Sequence, residues 1–266
     1  MCKLKSAIVL KDRIFMPDYD SHSEMLSELG IRDDYLGASK KFVRVELSPV
    51  DGDVFSDIDS WRFNVDQDIR PEWFDEDTYL PLMRKKVKEW AKDRIHIGVD
   101  DLVITAGSNH YIKDCKNVTC ENSTVTAWGN STVTACENST VTACENSTVT
   151  AWGNSTVTAW GSSTVTAREN STVTACENST VTARRNSTVT AWGNSTVTAW
   201  GNSTVTAWGN STVTAWGNST VIKTNCSSFK KENLILSENA TFKDCKAKII
   251  YQSGGWKIVE VANNER

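Results

Sequence analysis

Asn122-Ser123-Thr124-Val125-Thr126-Ala127-Trp128-Gly129 opens a run of twelve octads that continues without insertion or deletion to Gly217. In order they read NSTVTAWG, NSTVTACE, NSTVTACE, NSTVTAWG, NSTVTAWG, SSTVTARE, NSTVTACE, NSTVTARR and four further NSTVTAWG. A thirteenth begins as Asn218-Ser219-Thr220-Val221 and decays into Ile222-Lys223-Thr224-Asn225. A strict short period marks a stacked architecture, in which a unit too small to fold alone borrows its core from its neighbours. So much Ser, Thr, Asn and Gly would also suit a disordered low-complexity chain. The alternating β-branched run Thr-Val-Thr, followed in the commonest version by Gly-Asn turn chemistry, decides for strand plus turn.

Side chains alternate across a strand, so Ser123, Val125 and Ala127 share one face while Thr124, Thr126 and Trp128 share the other. Burying a valine gains about 1.5 to 3 kcal/mol, whereas a buried threonine with an unpaired hydroxyl costs about 1 to 3 kcal/mol. The valine face is therefore expected inside. Position seven agrees, because it accepts Trp, Cys and Arg (Arg168, Arg184), and arginines have no place in a core of Ser, Val and Ala. Position eight covaries with it: Gly follows Trp, whereas Glu or Arg follows Cys or Arg.

Eight residues cannot close a coil, since two strands and two turns consume about sixteen. Two octads per coil predict six flat coils spaced about 4.8 Å apart, or roughly 29 Å of parallel solenoid. Three octads per triangular coil is the alternative. A sixteen-residue period sets Glu169 beneath Arg185, which is favourable, and Arg168 beneath Arg184, which is not. Asparagines at position one would form an amide ladder, interrupted once at Ser162.

The core STVTA resembles the STQTA core of the octapeptide and sixteen-residue repeats of bacterial ice-nucleation proteins. The resemblance covers about 96 of the 266 residues and implies a flat β-solenoid with outward Thr-x-Thr rows, here Thr124 and Thr126 and their equivalents. This chain departs from that family in carrying WGN where the family has a Gly-Tyr-Gly turn, and in its short array.

The flanks have another composition. Only seven of the 62 charged residues lie between Asn122 and Gly217. Residues 1–100 read as a small α+β domain: a hairpin of Ser6–Leu10 and Arg13–Met16, a helix from Ser21 or Ser23 to Gly30, an alternating strand Lys41–Leu47, and a helix Thr78–Ile95. The longer helix carries Leu80, Met83, Val87, Trp90, Ala91 and Ile95 on one stripe, and Arg84, Lys85, Lys88 and Lys92 on a solvated face. This domain is similar to uncharacterised proteins of bacteria and their phages. Residues 101–121 form an N-terminal capping coil and 122–221 the solenoid. Residues 222–266 comprise degenerate coils, with Phe229 and Phe242 in the place of valine, and a closing hairpin of Lys248–Gln252 and Trp256–Val261.

A net charge of -4 argues against nucleic acid, whose phosphates need a basic surface. No stretch approaches the roughly 18 apolar residues that cross a bilayer, and the start lacks a secretory core. Asp51, Asp53, Asp57 and Asp59 miss calcium-loop spacing and read as turn formers. Asp18, Asp20 and His22 read as a loop leading into a helix in preference to a metal or acid/base group. His96 and His110 lack ligand spacing. With no phosphate loop, nucleophile elbow or paired-carboxylate motif, an enzymatic reading has no residues to name and no cofactor is implied. A weaker reading makes residues 1–100 an effector or catalytic domain carried by the repeat.

Cys120, Cys136, Cys144 and Cys176 are assigned to the position elsewhere held by Trp or Arg, as free thiols in a reducing compartment, with a Cys120–Cys136 bridge as the alternative. Glycans on every NST triplet would clash, which points to a bacterial or viral chain, cytoplasmic or particle-associated. Capped ends suggest a monomer. The expected role is a non-enzymatic scaffold or adhesin-like recognition surface for a glycan or particle partner, with ice binding as the alternative. Its outward residues are Thr124, Thr126 and Trp128; Thr188, Thr190 and Trp192; Thr196, Thr198 and Trp200; Thr204, Thr206 and Trp208; and Thr212, Thr214 and Trp216.

Overall fold

The computed structural model describes residues 5–33, 40–105, 109–224, 228–247, 249–253 and 259–260. The chain divides into two compact units, Met1–Ile95 and His96–Arg266.

In the first unit, β1 (Lys5–Val9), β2 (Ile14–Phe15), β3 (Val43–Ser48) and β4 (Arg62–Val65) form an antiparallel sheet of order β2-β1-β3-β4. The expected hairpin is present, with Ile8 opposite Phe15 and Val9 opposite Ile14. Helix α1 (His22–Glu28) is capped by the Ser21 side chain, which accepts from Glu24 N, and Gly30 follows it at φ +67°. Helix α2 (Glu76–Arg94) starts at Asp75, whose carboxylate accepts from Thr78 N. Its buried stripe is Tyr79, Met83, Val87 and Ala91. Tyr79 leads that stripe in place of Leu80, because spacing in fours puts residue 79 in line with 83 and turns residue 80 to the flank. The aspartates at 53 and 57 serve turns: Asp53 accepts from Phe55 N, and Asp57 caps the short helix Ile58–Ser60.

The second unit is a parallel β-solenoid with two octads per coil. Registers run Thr132↔Thr148, Val133↔Val149, Thr134↔Thr150 and Ala135↔Ala151, then repeat sixteen residues on along both sheets, which rules out the triangular coil. Alternate octads supply a nine-stranded and a twelve-stranded sheet. From Val125 to Val221 the valines at position four are at most 3% exposed, and the alanines at position six are fully buried. A continuous apolar column thus runs down the solenoid, Ile104 and Ile112 beginning it and Phe229 and Phe242 ending it.

Serine at position two is also inside, and its hydroxyl is satisfied within its own turn. Ser131 Oγ donates to Trp128 O at 2.7 Å, and Ser155, Ser171, Ser187, Ser203 and Ser219 repeat the bond. A hydroxyl that donates locally enters a narrow core without the desolvation cost that a second inward threonine would add. Asparagine amides pair one coil apart at Asn138–Asn122, 3.3 Å, and Asn194–Asn178, 3.5 Å.

At the C-terminal end Phe242 sits in register with Val221, and Phe229 packs tilted against Phe242 at 6.1 Å. The strand Ile249–Gln252 then turns antiparallel, pairing with Thr241–Asp244 and with Val259–Glu260. Reversing strand direction ends parallel stacking and closes the sheet. Lys248, Trp256 and the Gly254-Gly255 turn of the expected hairpin lie outside the described residues.

The N-terminal coil brings one correction. Cys120 is opposite Ala135, and Cys136 is opposite Glu121. Cys120 therefore occupies an inward alanine position and not the outward position seven. One residue fewer before Asn122, with Val118 seven positions ahead of Val125 where later valines are eight apart, shifts the register, and a shift of one residue turns a side chain to the opposite face. The Cys120 and Cys136 side chains point to opposite sides of the sheet, so the alternative disulfide has no geometry. All six described cysteines are free.

Candidate binding surface

Every threonine assigned outward lies on the solvent side of its strand, position three being the more exposed and position five half-covered. Most octad strands end at alanine, so from the Trp152 rung onward the tryptophans stand in the turns. Only Trp128 belongs to a strand, Thr124–Trp128. The threonine rows thus cover the two sheet faces, while position seven lines the two edges of the solenoid.

The edges are chemically distinct. One edge reads Trp128, Cys144, Trp160, Cys176, Trp192 and Trp208. The other reads Cys136, Trp152, Arg168, Arg184, Trp200 and Trp216. Where tryptophans occupy successive rungs they stack: Trp192 on Trp208 at 4.6 Å and 10°, and Trp200 on Trp216 at 5.2 Å and 9°. Trp160, with a cysteine on either side, is 45% exposed. Burial raises the thiols of Cys136, Cys144 and Cys176, and neighbouring glutamates add to it. Burial pushes the inward Cys120 up to about 11.

The covariation at position eight has a structural cause. This position is left-handed in most turns, whether it is glycine (Gly161 φ +67°) or glutamate (Glu145 φ +58°). On the cysteine edge a glutamate there reaches one coil back to a glycine N–H: Gly129 N donates to Glu145 Oε2 at 3.0 Å, and Gly161 N to Glu177 Oε2 at 3.1 Å. A Cβ at Gly161 would lie 3.1 Å from Glu145 O. Glycine and glutamate thus alternate along the first five rungs of the cysteine edge, and such a charge-assisted bond offsets the strain of non-glycine residues in this conformation.

The arginine edge holds three guanidinium groups. Arg185 Nη1 lies 3.0 Å from Glu169 Oε1, the pairing that the sixteen-residue period implies. Arg168 stacks its Cζ 4.6 Å over the Trp152 ring. A depression of ≈ 370 Å³ is lined by Arg168, Arg184, Arg185, Trp200 and Gly201.

In the first unit Asp18 and Asp20 do not meet His22. Asp20 accepts from the buried Lys5 at 3.1 Å, and Asp18 pairs with Arg94 at 3.2 Å. His22 instead approaches Asp66, Nδ1 to Oδ2 3.4 Å, with Nε2 3.2 Å from Val45 O. Its ligand atoms and those of Glu46 and Asp66 fall within 4.8 Å of one another, a donor set able to hold a divalent cation. Asp66 is 44 residues from His22 in sequence, and no spacing links them. On the basic face of α2, Lys88 pairs with Asp59 at 2.7 Å, and its hydrogen bond holds the Asp59 carboxyl below the usual range. The His96 and His110 rings stack at 5.8 Å. Among the described residues no helix is long and apolar enough to cross a membrane.

No family model, curated protein or solved structure matches the chain.

Proposed function

We propose that the chain is a non-enzymatic binding or scaffolding protein, its solenoid a rigid carrier of aromatic slots for glycans of a bacterial cell or phage particle. The rhythm of the cysteine edge carries this reading. Trp128, Trp160 and Trp192 stand two coils apart, with Cys144 and Cys176 between them. Two rungs separate successive indoles by about 9.6 Å, enough for one pyranose ring between two indole faces at ordinary contact distance. Where tryptophans are consecutive, as in Trp192 on Trp208, their faces cover one another, so a small cysteine keeps an aromatic face free for a ligand.

The test is titration of the full chain with a panel of cell-surface polysaccharides. Trp160→Ala, which removes the wall shared by both slots, is expected to weaken binding at least about tenfold while the circular dichroism spectrum is retained. Joint replacement of Trp208 and Trp216 by Ala should weaken it less, since each stacks on a neighbouring indole and walls neither slot. Undiminished binding by Trp160→Ala discards the aromatic assignment.

A second reading, ice binding, is favoured by the in-register threonine rows, Thr188↔Thr204 and Thr190↔Thr206 on one sheet and Thr196↔Thr212 and Thr198↔Thr214 on the other. Thermal hysteresis in a solution of the purified chain would support it; freezing like a buffer control would remove it.

A further inference from the structure

We propose that the arginine edge contains a subsite for an oxyanion carried on a sugar ring, a carboxylate or a sulfate, formed by Arg168, Arg184, Arg185 and the indole of Trp200. The proposal rests on the glycan reading above and assigns it a chemical class of ligand.

Four observations converge. Trp152, Arg168, Arg184 and Trp200 occupy successive rungs at position seven, so two guanidinium groups lie between two indoles. Only Arg185 has a carboxylate partner, Glu169; among the described residues Arg168 and Arg184 form no ion pair. Like charges on adjacent rungs repel, and an anion placed between them converts that repulsion into attraction. Arg168 is held by its contact with Trp152, while its Nε, shielded from solvent, has no hydrogen-bond acceptor. Finally, Trp200 stacks on Trp216 through one face only, and its side toward Arg184 lines the ≈ 370 Å³ depression. An indole face beside forked guanidinium donors matches the two sides of an acidic pyranose, whose C–H face stacks while its carboxylate or sulfate accepts paired N–H bonds.

The same cations could in principle meet nucleic acid, but their arrangement favours a single anion. Arginine occurs in only two of the twelve octads, and the other charged residues at position eight, Glu137, Glu145, Glu169 and Glu177, are acidic. A polynucleotide needs a basic track that neutralises a run of phosphates. This patch accommodates one or two.

Tryptophan fluorescence of the full chain would be titrated with an oligogalacturonate, its fully methyl-esterified form, a sulfated oligosaccharide of equal length, inorganic sulfate and a single-stranded DNA oligomer. One acidic saccharide should bind at least about tenfold tighter than the neutral ester, and the better of the two identifies the oxyanion. Replacing both exposed arginines, Arg184→Gln with Arg185→Gln, should erase that preference while the affinity for the neutral ester and the thermal unfolding midpoint stay as in the parent chain. Equal binding of acidic and neutral saccharides, or a preference that survives the double replacement, overturns the subsite and leaves the glycan reading standing. Failure of every saccharide overturns both. Inorganic sulfate or DNA binding as tightly as the acidic saccharide overturns the sugar-borne anion.

Discussion

The inner columns of the solenoid and its edge columns obey opposite rules. Inside, Ser, Val and Ala recur in every octad, and each is essentially removed from solvent. At the edges, positions seven and eight change from rung to rung, and no two consecutive rungs of the cysteine edge match before Trp192 and Trp208. A column shared by all coils tolerates one residue type, since each side chain is the floor of the coil above it. An edge has solvent on one side and can vary. The invariant part therefore explains stability, and under the proposed glycan reading the variable part is where a ligand specificity would be written.

The largest expected effect comes from breaking the inner rule. Val173→Asp places a carboxylate in a column with no partner and should cost at least about 4 kcal/mol, or abolish cooperative folding, in urea unfolding followed by circular dichroism. Thr172→Asp, one residue away but exposed, should change the midpoint by no more than about 0.5 kcal/mol. Similar losses for both would erase the distinction between inside and outside.

A smaller effect tests the turn. In Gly209→Val the new Cβ would approach Gly193 O at 3.0 Å, with φ at +64°. A β-branched residue is poorly suited to that conformation, and a loss of about 2 kcal/mol in the same unfolding measurement is expected. An unchanged midpoint would mean that the coils can slide apart at this edge.

The smallest effect on stability is chemical. A thiol must ionise to be alkylated, and Cys120, pushed up to about 11, stays protonated at pH 9. Its alkylation should accelerate only as pH approaches about 11, and always trail Cys136, whose thiol is raised but outward and half-exposed. Mass-resolved labelling across pH 7 to 11 gives the order. Equal rates at pH 9 would contradict the inward placement of Cys120.

Coil size, the valine interior and the outward threonines were legible because each is repeated in every unit: one alternation sets the faces, and the sixteen residues that two strands and two turns consume set the coil, while the charges pointed both ways. Single-copy features were harder to read. Cys120 looked like a continuation of the repeat sixteen residues before Cys136, and one missing residue turned it inward. The strand Arg62–Val65 offered too mixed a pattern to announce itself. His22, Glu46 and Asp66 meet through tertiary packing that no local spacing encodes. The tryptophans were assigned correctly to the outside, but their separation from the threonine faces depends on where each strand stops, which alternation alone does not specify.

The two-octad coil also gives the array a parity. Removing sixteen residues between Arg185 and Thr220 would shorten the stack by one rung and leave downstream side chains on their original sides. Removing only the octad Asn186–Gly193 would carry every later tryptophan across to the opposite border and set Trp208, not Trp200, above Arg184. Lineages that gain or lose repeats in pairs can thus tune length without disturbing what each border displays, whereas a single-unit slip rewrites both borders at once.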